Sequence, residues 1–471
     1  MRILLVKCVS LKKDVPQYAH PLGLMYLVSY LRNRYPEHNQ QILDLTYTKN
    51  PMEVLERRIQ DFDPHLVGIS AMTSEADNLH EVAKIVKQAD AAKTTVAGGP
   101  YGTSSPELAI ADPNIDVLVL GEGEETYADI VSSLSSGGDG KGIPGSLWRD
   151  NGDVVRGDER KPIVDLDEIP FPAWDMVDMD AYQNLGRAGN VRRNRYMGIF
   201  TSRGCPYQCS YCHRVFPKRF RPRSASNILE ELQVLVDRYD IRDVEVYDDV
   251  FNYDMDRAKA VCRGIIERNL NLKISFPHGV RGDRLDRELT GLLAQAGTTN
   301  IGIAVDTASP ARQRELGRNL NIKKVRQAIE WADYEGITTF GYFMLGFPGE
   351  TEEEMNETIR FAENSRLMFA SFFIVTPFPS TPLWEQTVAR TNPDATNLDA
   401  LNVFSGFYNL SALSGPRLRR MQRLAYWRFY RGRLFRILRS FHRLRVDWRN
   451  AAWIGLTRMF DRKTLSDVHG C

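Results

Sequence analysis

Short apolar runs alternate with stretches of helical apolar spacing through most of this chain, an order that restricts it to parallel-sheet α/β architecture. In the first 145 or so residues the runs are Ile3–Val6, Leu66–Ser70, Thr94–Ala97 and Val117–Leu120, each of strand length. Between them Leu79, Val82, Ala83 and Val86 recur at helical spacing. A doubly wound sheet is expected over residues 1–145, with any ligand at the carboxyl ends of its strands. A connector is expected over 146–191: Arg149-Asp-Asn-Gly-Asp153 has hairpin-turn chemistry, and Leu166-Asp-Glu-Ile-Pro-Phe-Pro172 is extended and proline-punctuated. The alternation then resumes in Met197–Thr201, Val244–Tyr247, Lys273–Phe276, Asn300–Val305, Thr338–Leu345 and Ser371–Thr376. This predicts a full or partial TIM-type (β/α) barrel over 192–385, with its chemistry at the carboxyl strand ends.

Cys205, Cys209 and Cys212 lie just past the first of these later strands, in Thr201-Ser-Arg-Gly-Cys-Pro-Tyr-Gln-Cys-Ser-Tyr-Cys-His213. Three thiolates without a nearby fourth suit an incomplete ligand set, because a 4Fe-4S cluster takes four ligands and three leave one iron open. Buried structural cysteines and a zinc site are the alternatives. Zinc sites, however, carry four protein ligands or three plus a solvent position, and Gly204-Cys-Pro206 suits an exposed loop.

The motif, with aromatic Tyr211 before its last cysteine, resembles the radical S-adenosylmethionine superfamily. The resemblance implies that S-adenosylmethionine chelates the open iron and is cleaved reductively to a 5′-deoxyadenosyl radical. It also implies further contacts. Asp248 and Asp249 are placed to accept hydrogen bonds from the methionyl ammonium. Asp306, where relatives usually carry Glu-Ser, is placed to bond the ribose hydroxyls. Gly341 and Gly346, in Gly341-Tyr-Phe-Met-Leu-Gly-Phe-Pro-Gly-Glu350, are placed near the adenine.

Residues 1–135 resemble the cobalamin-binding domains fused to such enzymes, through His20-Pro-Leu-Gly-Leu-Met-Tyr-Leu27, Ser70-Ala-Met72, Gly98-Gly-Pro100 and Gly121-Glu-Gly-Glu124. Ser70, Gly98, Gly99, Gly121 and Glu122 are the cobalamin-site residues this implies, with Gly99 letting the backbone approach the corrin. Asp63-Pro-His65-Leu-Val-Gly68 has the letters of a cobalt-ligating motif, but His65 abuts the strand ending at Ser70 instead of following the first strand. It is expected at the surface, leaving the lower face of cobalamin without that histidine.

Charge separates the rest. Ser411–Cys471 holds 15 Lys+Arg against 3 Asp+Glu, leaving 46 against 57 elsewhere. Within the expected basic helical region 386–471, Leu418, Met421, Leu424, Tyr430, Leu434, Ile437, Phe441 and Leu444 form one apolar stripe opposite arginines. Packing on the barrel, contact with anionic lipid at the inner membrane surface, or nucleic acid would each use such a helix. No recognised nucleic-acid module accompanies it. The other cysteines, Cys8, Cys262 and Cys471, are scattered and read as reduced, in keeping with a cytoplasmic protein. The opening Met1–Lys7 has too short an apolar run for a signal peptide.

The expected activity is methylation of an unactivated carbon of a small-molecule or lipid substrate, using a 4Fe-4S cluster, S-adenosylmethionine and cobalamin, with electrons from flavodoxin or ferredoxin. A cobalamin-assisted oxidative cyclisation without methyl transfer and a non-catalytic cobalamin or iron–sulfur sensor are the alternatives.

Overall fold

The computed structural model describes residues 1–10, 19–150, 152–184, 195–388, 398, 401, 408–433 and 437. Its first sheet has the order β2-β1-β3-β4-β5-β6-β7. The strands are β1 (Arg2–Lys7), β2 (Asn39–Asp44), β3 (Leu66–Ser70), β4 (Thr94–Gly98), β5 (Val117–Val119), β6 (Ser146–Asp150) and β7 (Asp153–Arg156). Strands β1 to β5 run parallel. Ile3 to Val6 are at most 1% exposed because helices cover both faces of the sheet, so β1 reads as a continuous apolar run. The chain order 2-1-3-4-5 puts the topological switch point between β1 and β3.

Two features depart from the sequence expectation. Strand β2 had no sequence signal, since its Asn39-Gln-Gln opening is polar and it lies on the sheet edge. The Arg149–Asp153 turn joins β6 to β7, and both strands continue the first sheet antiparallel. Residues 146–156 therefore belong to the first domain, and the connector begins after them.

The second sheet is an open six-stranded partial barrel, β15-β14-β13-β12-β11-β8. Its strands are β8 (Tyr196–Ile199), β11 (Asp243–Val246), β12 (Lys273–Val280), β13 (Thr298–Asp306), β14 (Thr338–Leu345) and β15 (Phe369–Ile374). Two short strands, β9 (Ser202–Arg203) and β10 (Arg221–Pro222), stand apart as an antiparallel pair. Outward residues such as Ile301, Ile303 and Phe343 pack under the surrounding helices. That core also takes in Leu22 and Met25 of the helix Leu22–Arg34, so the domains share buried surface.

The tail helix Gly415–Arg431 closes the free edge of β15. Tyr426 and Tyr430 accept hydrogen bonds from the Phe372 and Ala370 amides at 3.1 and 3.2 Å, and Gln422 donates to the Phe372 carbonyl at 2.7 Å. Leu418, Met421, Ala425, Tyr426 and Phe429 are buried in the barrel core. Some arginines of the tail pair with the barrel as well. Arg417 pairs with Glu352 at 2.7 Å, Arg428 pairs with Glu363, and buried Arg433 donates to the carbonyls of Ala362, Ser365 and Leu367. Packing, and not lipid contact, thus occupies the apolar face over these residues, because an edge strand leaves backbone groups that need partners. Leu434, Phe441 and Leu444 of the predicted stripe lie outside the described residues. Among the described residues no helix is long and apolar enough to cross a membrane.

Candidate active site

Arg203 stands opposite Arg221 in the β9–β10 pair, so residues 204–220 form a closed loop that carries Cys205, Cys209 and Cys212. The turn out of β9 requires Gly204: its φ is +80°, and a Cβ would meet the Pro217 carbonyl at 2.6 Å and that of Arg219. Farther round, the Ser210 amide donates to the Leu316 carbonyl at 3.0 Å, and the Leu383 amide donates to the Ser210 carbonyl at 2.9 Å. Tyr207 lies under the Arg281 guanidinium, 3.7 Å from it. The loop is thus held from the ends of several strands.

Cys209 is buried, and Cys205 and Cys212 are half-buried. Burial pushes the Cys212 thiol up to about 12 and raises Cys205, with neighbouring thiols and Asp249 adding to both. No three His, Cys, Asp or Glu side chains among the described residues converge as a single ion would require. This donor set fits a multi-iron cluster, whose irons sit at separate corners, better than zinc.

Around the loop are the barrel strand ends. Asp306 closes β13 with φ +63°, and its Oδ2 accepts from the Tyr211 hydroxyl at 2.5 Å and lies 2.9 Å from Arg318 Nε. Arg318 also reaches Cys209. The Tyr211 ring packs on Phe347, centroids 5.5 Å apart. Asp249 keeps partial exposure, with His213 at 3.5 Å. His278, near the end of β12, is exposed, although protein surrounds it closely enough for burial to lower its pKa, with Asp249 opposing.

The first domain brings Ser70, Gly98 and Gly121 to its carboxyl strand ends. Gly121 has φ +66°, and a Cβ there would meet nothing within 4 Å, so this loop is open ground. Glu122, the next residue, reaches Arg203 at 2.9 Å and also pairs with Arg221, while Glu124 reaches Arg203 at 2.6 Å. The carboxyl end of the first sheet is therefore in contact with the base of the cysteine loop.

The description "Radical SAM superfamily" matches residues 199–362, and "B12 binding domain" matches residues 10–131. Uncharacterized methyltransferase PH0819 of Pyrococcus horikoshii is 33% identical over 436 residues, covering 91% of this chain and 92% of that one. The chain belongs to the cobalamin-binding radical S-adenosylmethionine family. It is a methyltransferase-like enzyme of that family, with a 4Fe-4S cluster, S-adenosylmethionine and cobalamin as cofactors. Cytidylyl-2-hydroxyethylphosphonate methyltransferase of Streptomyces wedmorensis is 28% identical over 80% of each chain. The solved cobalamin-dependent S-adenosylmethionine radical enzyme OxsB, with aqua-cobalamin and S-adenosylmethionine bound, shares the fold: TM-score 0.75, 16% identity, 97% of this chain and 71% of that one.

Within this radical S-adenosylmethionine enzyme several expected site residues do other work. Asp248 is buried, and its carboxylate accepts from the Thr201 amide and the Ser202 hydroxyl at 2.6 Å each and from the Thr201 hydroxyl. It braces the start of the cysteine loop and is not free for a ligand ammonium, whereas Asp249 is partly exposed. Gly341 faces the helix layer, where a Cβ would strike Leu367 and Phe343. Gly346 has φ +96°, serves the turn by donating its amide hydrogen to the Glu350 carboxylate at 2.6 Å, and lies against Leu418 of the tail helix. Neither glycine needs the adenine to explain it.

Glu122 is consumed by arginines and is not open to the corrin. Gly99 also serves an internal contact: with φ +83°, its Cβ would meet Ser70 Oγ at 2.6 Å, which places the tight approach between two strand ends. His65 sits at the opposite end of β3, where its Nδ1 accepts from the Arg2 amide at 3.1 Å, as expected of a surface residue. Sequence patterns did not single out Arg203, Arg221, Arg318 or His278, and gave Glu124 only as the end of the Gly121–Glu124 motif. For the arginines the only available signal was charge flanking the cysteine motif.

Proposed function

We propose that this enzyme transfers a methyl group to an unactivated carbon of a small molecule held between the two carboxyl-end faces. The observation that carries the proposal is the contact of Glu122 and Glu124 with Arg203, which brings the cobalamin-binding loops to the cysteine loop. When bound, the cluster and S-adenosylmethionine supply hydrogen abstraction, and cobalamin supplies the methyl group.

Cys205, Cys209 and Cys212 would hold the cluster, leaving one iron for S-adenosylmethionine. Asp249 accepts from the amino group of S-adenosylmethionine. Asp306 offers Oδ1 to the ribose, its Oδ2 being occupied by Tyr211 and Arg318. Tyr211 and Phe347 wall the adenine side. Ser70, Gly98 and Gly121 would line the corrin, and His65 of the Asp63–Gly68 motif is held at the opposite end of β3 by the Arg2 amide. A low-potential donor of the flavodoxin or ferredoxin class would supply the electron.

Anaerobic reconstitution should load about four irons per chain, and alanine at all three cysteines should abolish loading. Incubation with methyl-deuterated S-adenosylmethionine and candidate natural-product intermediates, lipids or tetrapyrroles should then give a mass-labelled product. Release of 5′-deoxyadenosine with an altered but unlabelled substrate would overturn methyl transfer in favour of oxidative cyclisation.

A further inference from the structure

The residues that close the base of the cysteine loop are two arginines facing one another. Arg203 and Arg221 are cross-strand partners in a pair only two residues long, with side chains 7% and 3% exposed. Like charges directly opposite are destabilising, and burial removes the water that would screen them. Nothing in β9 or β10 neutralises them.

The neutralising charge comes from the other domain. Glu122 spans both guanidiniums, with Oε2 at 2.9 Å from Arg203 Nη1 and 3.1 Å from Arg221 Nη1, and Oε1 bonded to Arg221 Nη2. Glu124 takes the remaining edge of Arg203 at 2.6 Å. Both carboxylates are buried, with side chains 7% and 6% exposed. Arg203 also lies between the Tyr26 ring of the first domain at 5.0 Å and the Phe216 ring of the cysteine loop at 6.0 Å. Arg221 Nη1 donates to the connector carbonyl of Ile163 at 2.5 Å. Two buried acids and two buried bases balance only when the domains are together.

We propose that Glu122, assisted by Glu124, is a positioning residue for the cluster: the cobalamin-binding domain closes the neck of the cysteine loop, so the three thiols take up cluster geometry only on the docked first domain. This rests on the assignment of Cys205, Cys209 and Cys212 as cluster ligands. Its consequence is registration. One carboxylate sets the spacing between the loop that lines cobalamin and the loop that holds the iron, because Gly121 and Cys205 are neighbours of the clamped residues Glu122 and Arg203 respectively, Cys205 at one residue's remove.

The test uses full-length protein reconstituted with cluster and cobalamin, and follows iron release to a chelator. Breaking a buried pair leaves an uncompensated charge, so E122A should release iron at least about tenfold faster than wild type. E122Q, which keeps the side-chain volume, should do the same in part and serves if E122A does not fold. The decisive variant is E122A/R221A, which removes the opposed arginine and leaves Arg203 paired with Glu124. It should hold iron longer than E122A.

A general structural role would lower the melting temperature without that rescue, and without altering the effect of S-adenosylmethionine on the reduced cluster's EPR signal. Wild-type release rates in E122Q and E122A, or a double variant no better than E122A, would overturn the proposal. Wild-type protein that takes up no iron would instead sink the cluster-ligand assignment itself.

Discussion

Tyr211 donates its hydroxyl proton to Oδ2 of Asp306 at 2.5 Å, tying the cysteine loop to the end of β13. Asp306 holds a left-handed backbone conformation, φ +63°, that an aspartate tolerates better than most side chains. The Tyr211–Asp306 bond therefore links a strained strand end to the segment between two candidate iron ligands.

Tyr211→Phe removes this bond and keeps the ring on Phe347. A hydrogen bond to a charged group contributes about 1.5–3 kcal/mol, and denaturant titration should show a loss of that order. The EPR change on adding S-adenosylmethionine should also weaken. An unchanged denaturation midpoint would mean that Arg318 alone holds Asp306.

Glu350 gives a pH dependence. Burial raises its carboxyl from 4.5 to about 7, against the opposing bonds from the Gly346 and Phe347 amides. The folded chain keeps this proton where the unfolded chain has released it. The contribution to stability is therefore full below pH 4.5 and is lost as pH rises through about 7. At about 1.4 kcal/mol per unit the full loss is about 3 kcal/mol. E350Q should remove this loss, gaining in melting temperature over wild type from about pH 5 to about pH 8; parallel profiles would refute it.

Adjacent glycines should respond differently. At Gly99, φ is +83° and the Ser70 hydroxyl lies at 2.6 Å from an added Cβ, so Gly99→Ala should cost about 1–3 kcal/mol and loosen cobalamin retention through the fold. Gly98 is extended, and its Cβ would meet Val119 at an ordinary 3.6 Å, so Gly98→Ala should leave stability near wild type. His65→Ala should leave the cobalt spectrum unchanged. Thermal unfolding and the visible spectrum distinguish these outcomes.

Deletion from Gly415 onward should unfold the barrel. Leu418, Met421, Tyr426 and Phe429 lose burial worth about 1.5–3 kcal/mol each, which reaches the scale of a whole domain's stability. The edge of β15 is exposed as well. A truncated protein that still resists protease and loads iron would show that the helix is accessory, and flotation with anionic vesicles would then test lipid contact.

The parallel strands, the cysteine loop and the surface position of His65 follow from the amino-acid sequence by itself, because each depends on local pattern: apolar runs, ligand spacing, or distance from a strand. Strand β2 carries no such pattern because an edge strand needs few apolar residues. The roles of Asp248, Glu122, Gly99 and Gly346 were decided by tertiary structure alone. An acidic residue at a strand end has the same local pattern whether it faces a ligand, two arginines or a threonine, and a glycine required by an internal contact looks like one required by a cofactor. Which partner is met depends on segments distant in the chain, as when Glu122 meets Arg203 and Arg221, and burial then decides the energetics because it removes the water that would otherwise serve each group equally well.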